Sequence, residues 1–130
     1  MRSEVWLSLG SNLEPTAEGE RHLQAAHAEL ATYITELQCS SIYTTPAEGH
    51  AHGTYANSVV RGFTTMSEEE LETALKALER AHGRTPADKL VGRVPLDLDI
   101  IRWNESIVRP RNWQMNYMQS GLKELSDETY

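Results

Sequence analysis

The 130-residue chain predicts an α+β domain with a mainly antiparallel sheet and helices on one face. Three observations carry this. Strand-like apolar patterns occur at 5–9, 34–43, 55–65 and 96–103. Two segments, 16–33 and 68–81, place apolar residues at helical spacing instead. The two kinds of segment alternate along one length of chain that the size prior assigns to a single domain, 1–130.

The elements follow in order. Val5-Trp6-Leu7-Ser8-Leu9 reads as a strand that stops at the turn residues Gly10-Ser11-Asn12. Thr16 caps a predicted helix running to about Tyr33, with Leu23, Ala26 and Leu30 as its apolar stripe. Ile34 to Tyr43 is rich in β-branched residues and reads as a strand. Thr44 to Thr54, with Pro46, Gly49 and Gly53, reads as a loop. From Tyr55 to Thr65 the chain alternates: Tyr55, Asn57, Val59, Arg61 and Phe63 share one face, and Ala56, Ser58, Val60 and Gly62 the other. Ser67 and Glu70 form a capping-box pattern ahead of a helix whose buried stripe is Leu71, Leu75 and Leu78 and whose stop is Gly83. Arg84 to Pro95 reads as a loop, Leu96 to Trp103 as the last strand, and the polar tail from about Gly121 as a frayed end. The resulting order, β-α-β-β-α-β, is the ferredoxin-like arrangement.

Composition narrows the function classes. The formal charge of −7 argues against nucleic acid and against anionic membrane as partners. A single cysteine, Cys39, permits no intrachain disulfide and suits a reducing, cytoplasmic setting. No run of 18 apolar residues is present, and the N-terminal residues lack a signal-peptide core, so the start reads as mature.

The sharpest chemical pattern is Leu96-Asp97-Leu98-Asp99-Ile100. In a strand both carboxylates face the same way, with Cα atoms roughly 6.5–7 Å apart. That spacing admits two readings: a solvated acidic face, or a seat for Mg²⁺, which takes hard oxygen ligands and shares them with phosphates. Arg84, Lys89 and Arg93 lie just upstream, and cations beside a Mg²⁺ strand suit a nucleoside triphosphate. Neither a Gly-x-x-x-x-Gly-Lys-[Ser/Thr] nor a Gly-x-Gly-x-x-Gly motif occurs, which excludes the common P-loop and dinucleotide-binding designs. His50 and His52 read as exposed loop residues, since no third ligand stands near them in sequence.

Four pieces in register resemble one family: Leu7-Ser8-Leu9-Gly10-Ser11-Asn12-Leu13; Ser41-Ile42-Tyr43-Thr44-Thr45-Pro46 with Gly49; Tyr55-Ala56-Asn57; and Leu78-Glu79 with Gly83-Arg84, Gly92 and Leu96-Asp97-Leu98-Asp99-Ile100. The chain resembles the 6-hydroxymethyl-7,8-dihydropterin pyrophosphokinases of folate biosynthesis, whose fold is the ferredoxin-like sheet. The resemblance implies transfer of pyrophosphate from ATP to the hydroxymethyl oxygen of a reduced pterin, with release of AMP. Two Mg²⁺ ions organise the triphosphate, and Asp97 and Asp99 match the metal ligands. Asn57 matches the asparagine that bonds the pterin's polar edge and Tyr55 a neighbouring tyrosine. Gly10, Thr45, Pro46 and Glu48 match the pocket lining, and Glu79 an acidic position near the site. Arg84, Lys89 and Arg93 are the expected phosphate-facing cations.

The departures are equally specific. The family's Trp-Gly-Pro-Arg before the acid pair is here Val91-Gly92-Arg93-Val94-Pro95, so a closing aromatic becomes Val91 and an arginine becomes Val94. Beyond Trp103 the pattern is shortened, with Asn112 and Trp113 where a His-Tyr pair would stand and Ser120 near the position of a pterin-stacking aromatic. An alternative to the enzyme is therefore a non-catalytic pterin- or nucleotide-binding paralogue.

Overall fold

The computed structural model describes residues 1–46 and 53–127. Six strands form one sheet: β1 (Ser3–Ser11), β2 (Thr35–Cys39), β3 (Tyr43–Pro46), β4 (Thr54–Thr64), β5 (Asp97–Trp103) and β6 (Ser106–Ile107). Their order is β2-β4-β1-β5-β6, with β3 also paired to β4, and every pairing is antiparallel. The helices are α1 (Thr16–Leu30), α2 (Glu68–Ala81), α3 (Pro86–Val91), α4 (Pro110–Gln114) and α5 (Asn116–Asp127). The α+β, ferredoxin-like class holds, with the β-α-β-β-α-β order carried by β1, α1, β2, β4, α2 and β5; the expectation of helices on one face only does not, because α4 and α5 cover the other.

Within that core, α1 and α2 lie together on one face. Leu23, Ala26 and Leu30 of α1 and Leu71 and Leu75 of α2 pack on Val5, Leu7, Leu9, Val60, Leu98 and Ile100. The capping box of α2 forms as the sequence expects: Glu70 N–H donates to Ser67 Oγ, and Ser67 N–H to the Glu70 carboxylate. Burying this continuous apolar layer is the main stabilising term of the fold.

Four stretches differ from expectation. The first helix ends at Leu30 rather than near Tyr33, and Thr16 is its first residue rather than its cap. The segment 34–43 is not one strand: β2 ends at Cys39, and β3 starts at Tyr43 and runs to Pro46, into the stretch 44–54 expected as a loop. Between them Ser40 exchanges bonds with Val59, donating its N–H to Val59 O and accepting Val59 N–H at Oγ. The segment 84–95 is not simply a loop. Thr85 and Asp88 form a second capping box, Pro86 opens α3, and Gly92 closes it at φ 70°.

The tail from 121 does not fray within the described residues, because it forms the second half of α5. Met118 and Leu125 of α5 bury against Trp6, Val59 and Ile101, with Trp113 of α4 beside them, so the second sheet face is covered too. Gly121 makes this docking possible, since a Cβ there would stand 2.4 Å from Val59 Cγ2 and 2.9 Å from the Tyr43 hydroxyl. Its N–H donates to that hydroxyl at 3.1 Å, and the hydroxyl donates to Tyr117 O. Among the described residues no helix is long and apolar enough to cross a membrane.

Gly121→Ala is expected to lower stability by about 1–3 kcal/mol, because the contact is with backbone-anchored Val59 rather than with a flexible tip. Urea unfolding measures it, and an unchanged midpoint would show that α5 docks without this close approach.

Candidate active site

Strand register builds the site. Gly10 of β1 pairs with Asn57 of β4 on one side and with Asp97 of β5 on the other. Ser8 likewise lies between Val59 and Asp99. Residues directly opposite in a sheet share a face, so Asn57, Gly10, Asp97 and Asp99 all present to the α5 side. There they line a cleft of about 590 Å³ with Ser8, Thr45, Pro46, Tyr55, Gln114, Met115, Asn116 and Tyr117. That volume suits a small molecule.

Gly10 is the floor. A Cβ on it would meet Tyr55 Cδ1 at 3.3 Å and Asn57 Oδ1 at 3.7 Å, so the bare backbone lets the ring and the amide close over it. Asn57 is buried, and its Nδ2 donates to Thr45 Oγ1 at 2.7 Å and to Tyr55 O at 3.2 Å. Those bonds fix the amide plane and set Oδ1 toward Gly10 as an acceptor. Burial pushes the Tyr55 hydroxyl up, and the Asp97 charge adds to the shift, so it stays protonated at neutral pH.

The acid pair sits at the other end. Burial first, and then the charge of Asp97, raise Asp99 to about 7, while Arg109 opposes the shift. Arg84 Nη1 binds Asp97 Oδ1 at 2.9 Å, Glu79 Oε2 at 3.1 Å and Leu96 O at 3.2 Å. Arg109 Nη2 lies 3.5 Å from Asp99 Oδ1. Three carboxylates thus meet two guanidiniums, an arrangement that favours one more cation. The donor set of hard carboxylate oxygens on an open cleft fits Mg²⁺ with substrate oxygens completing its shell. Among the described residues no group of three or more His, Cys, Asp or Glu side chains is placed to hold a metal ion by itself.

The expected residues are distributed as follows. Gly10, Thr45, Pro46, Tyr55, Asn57, Asp97 and Asp99 line the cleft together. Arg84 reaches it through Asp97. Glu79 lies behind β5, where the buried carboxylate accepts Leu98 N–H at 2.8 Å and steadies Arg84, and burial raises its pKa. Lys89 is exposed on α3, and Arg93 pairs with Asp88 at 3.0 Å beside a separate shallow groove, so neither lines the cleft. Glu48, Gly49, His50 and His52 lie outside the described residues.

Ser120 is exposed and off the cleft; the aromatic that lines it from the C-terminal side is Tyr117. Trp113, at the position of the family's His-Tyr pair, packs edge-on against Trp6 with centroids 6.5 Å apart. Sequence reasoning missed Tyr117, Arg109 and Asn12. Asn12 is buried and clamps the segment after α3, accepting Val94 N–H and donating to Gly92 O, both at 2.6 Å. A Tyr-Met pair opening an amphipathic helix was the available signal for Tyr117; Arg109, outside any strand or helix stripe, had none.

The sequence model of the 7,8-dihydro-6-hydroxymethylpterin-pyrophosphokinase family matches residues 6–127. The chain belongs to this family. A Synechocystis protein named 2-amino-4-hydroxy-6-hydroxymethyldihydropteridine pyrophosphokinase is 36% identical over 101 residues, covering 76% of this chain and 50% of that protein. One of the same name from Aquifex aeolicus is 27% identical over 110 residues, covering 82% and 65%. The pea "Folate synthesis bifunctional protein, mitochondrial" is 30% identical over 131 residues, covering 94% of this chain and 25% of the pea protein. The chain therefore spans a quarter to about two thirds of these pterin pyrophosphokinase-family relatives.

Without divalent cations, the contribution of Asp99 to stability is expected to fall as pH rises from about 4 to 7. The raised pKa means the folded state holds a proton on Asp99 that the unfolded chain has released, and this advantage is lost on ionisation. Asp99→Asn should remove that slope and stabilise the protein by about 1–3 kcal/mol at pH 8. Thermal midpoints of both proteins across this range, in chelator, are the check; parallel curves would contradict the assignment.

Proposed function

We propose that the chain transfers pyrophosphate from MgATP to the hydroxymethyl oxygen of 6-hydroxymethyl-7,8-dihydropterin and releases AMP, a step of folate biosynthesis. The observation that carries this reading is one cleft holding a hydrogen-bonding amide at one end and an acid pair at the other. In this reading a flat, polar-edged heterocycle occupies the cleft that Tyr55 and Tyr117 line, with Asn57 Oδ1 accepting from its N–H edge. Its hydroxymethyl group would then point across β1 toward Asp97 and Asp99, where the triphosphate would lie.

Asp97 and Asp99 would hold two Mg²⁺ ions, which when bound neutralise the triphosphate and favour ionisation of the attacking hydroxyl. The oxygen attacks the β-phosphorus, the bond from that phosphorus to the α-bridging oxygen breaks, and AMP departs with the electron pair. No side chain in the cleft is placed as a strong base, so positioning and charge carry the rate. Of the three cations named from sequence, Arg84 adjoins the cleft through its ion pair with Asp97, where its charge would offset that of the acid pair; Lys89 and Arg93 stand outside the cleft. Glu79 acts through Arg84 rather than on the substrate. The lone free cysteine and the acidic surface support a cytoplasmic enzyme with no nucleic-acid partner.

A second reading, a pterin- or nucleotide-binding paralogue without turnover, draws on Val91. It stands where the family has a closing aromatic, and it is 67% exposed.

Protein, Mg²⁺, ATP and 6-hydroxymethyl-7,8-dihydropterin should yield AMP. Pterin binding without AMP would select the second reading. Asp97→Ala should cut kcat at least about 10³-fold while circular dichroism stays native. Asn57→Ala should raise the pterin KM about 10–100-fold, since it removes the fixed acceptor; an unchanged KM would remove it from the pocket.

A further inference from the structure

The two arginines on the acid pair are held very differently. Arg84 is locked, with three partners at 2.9–3.2 Å, one of them a backbone carbonyl. Arg109 makes one ion pair, at 3.5 Å, which exceeds ordinary hydrogen-bond length. Its side chain is 44% exposed, whereas that of Asp99 is 20% exposed. The backbone beneath it is nevertheless fixed. The β5–β6 hairpin turns the chain back, Arg109 N–H and Val108 N–H both donate to Ile101 O, and Arg109 O accepts Trp113 N–H at the start of α4. Arg109 is thus a loosely held charge on a rigid mount at the rim of the acid pair.

We propose that Arg109 is an exchangeable counter-ion: it neutralises Asp99 in the empty site and moves onto the polyphosphate when a divalent cation takes that carboxylate. The inference rests on the metal-nucleotide reading above. A divalent ion bound by Asp97 and Asp99 repels the guanidinium 3.5 Å from Asp99. The phosphate oxygens that accompany the ion offer Arg109 a bidentate partner of the kind guanidinium prefers. Arg84, bonded to Glu79 and Leu96 O as well as Asp97, cannot make the same exchange without losing those bonds. Arg109 therefore costs the site affinity for a bare cation and adds affinity for a cation that arrives with polyphosphate. That selects metal-nucleotide over free metal in a chain that carries valine at 91 and 94.

The test uses the full chain, with free Mn²⁺ followed by electron paramagnetic resonance and Mn·ATP binding by calorimetry. Arg109→Gln should bind bare Mn²⁺ about 3–10-fold more tightly and Mn·ATP about 10–100-fold more weakly than the parent. Arg109→Lys should keep the parental Mn²⁺ affinity and recover part of the Mn·ATP affinity. Arg111→Gln, which removes the same charge from the exposed face of α4, should change neither. Loss of both affinities in Arg109→Gln would make Arg109 a structural prop and overturn the exchange. So would no change in either, tighter Mn²⁺ with unaltered Mn·ATP, or equal effects from Arg111→Gln. If the parent binds no Mn·ATP, this inference and the function beneath it both fall. If it binds Mn·ATP and shows the split but makes no AMP, only the transfer step falls.

Discussion

The central constraint is the antiparallel pairing of β1 with β4 and β5. It sets Gly10 between Asn57 and Asp97, and Ser8 between Val59 and Asp99. Strand neighbours lie about 4.8 Å apart, so this register alone brings the Asn57 amide and the Asp97–Asp99 acid pair to opposite sides of one strand. A one-residue slip of either neighbour would turn its functional side chains into the layer occupied by α1 and α2. The apolar residues that alternate with the site, Leu9, Ala56, Leu98 and Ile100, are all buried in that layer. Core packing and site alignment are thus the same requirement, met on opposite faces.

A second constraint is charge. The −7 of the whole chain says little about the cleft, where Asp97, Asp99 and Glu79 are answered by Arg84 and Arg109. Burial makes that residual negative charge costly, and the rise of Asp99 to about 7 expresses the cost. Glu79 is the anchor of the arrangement: it closes the Leu98 N–H of β5 and holds Arg84 against Asp97. The same network holds Arg84 by three contacts and Arg109 by one ion pair at 3.5 Å.

Family membership and geometry divide the explanation. The match over residues 6–127 covers nearly the whole chain, yet the chain spans half of the Synechocystis relative and a quarter of the pea one. After β5 the chain turns through β6 and α4 into α5. Tyr117, at the start of α5, closes the cleft from that side, and Gly121 lets the helix settle on Val59.

Much of this was legible in sequence because it is local or periodic. Alternation at 55–63 and 96–100 assigned faces correctly, the Ser67–Glu70 cap marked the start of α2, and Gly10, Asn57, Asp97 and Asp99 were identifiable by motif. The prolines and glycine of 84–95, taken alone, signal an irregular loop; Pro86 as the N1 residue and Gly92 as the C-cap bound a helix instead. Ser120 was placed at the cleft because an irregular stretch offers no period from which to count register. Sequence by itself determined which residues alternate and hence which share a face. Only the tertiary structure decided which ends of those faces meet. Arg109 reaches Asp99 by a hairpin return, Arg93 turns to Asp88, and Tyr117 enters the cleft through docking of α5, all contacts set by distances in space that no local period encodes.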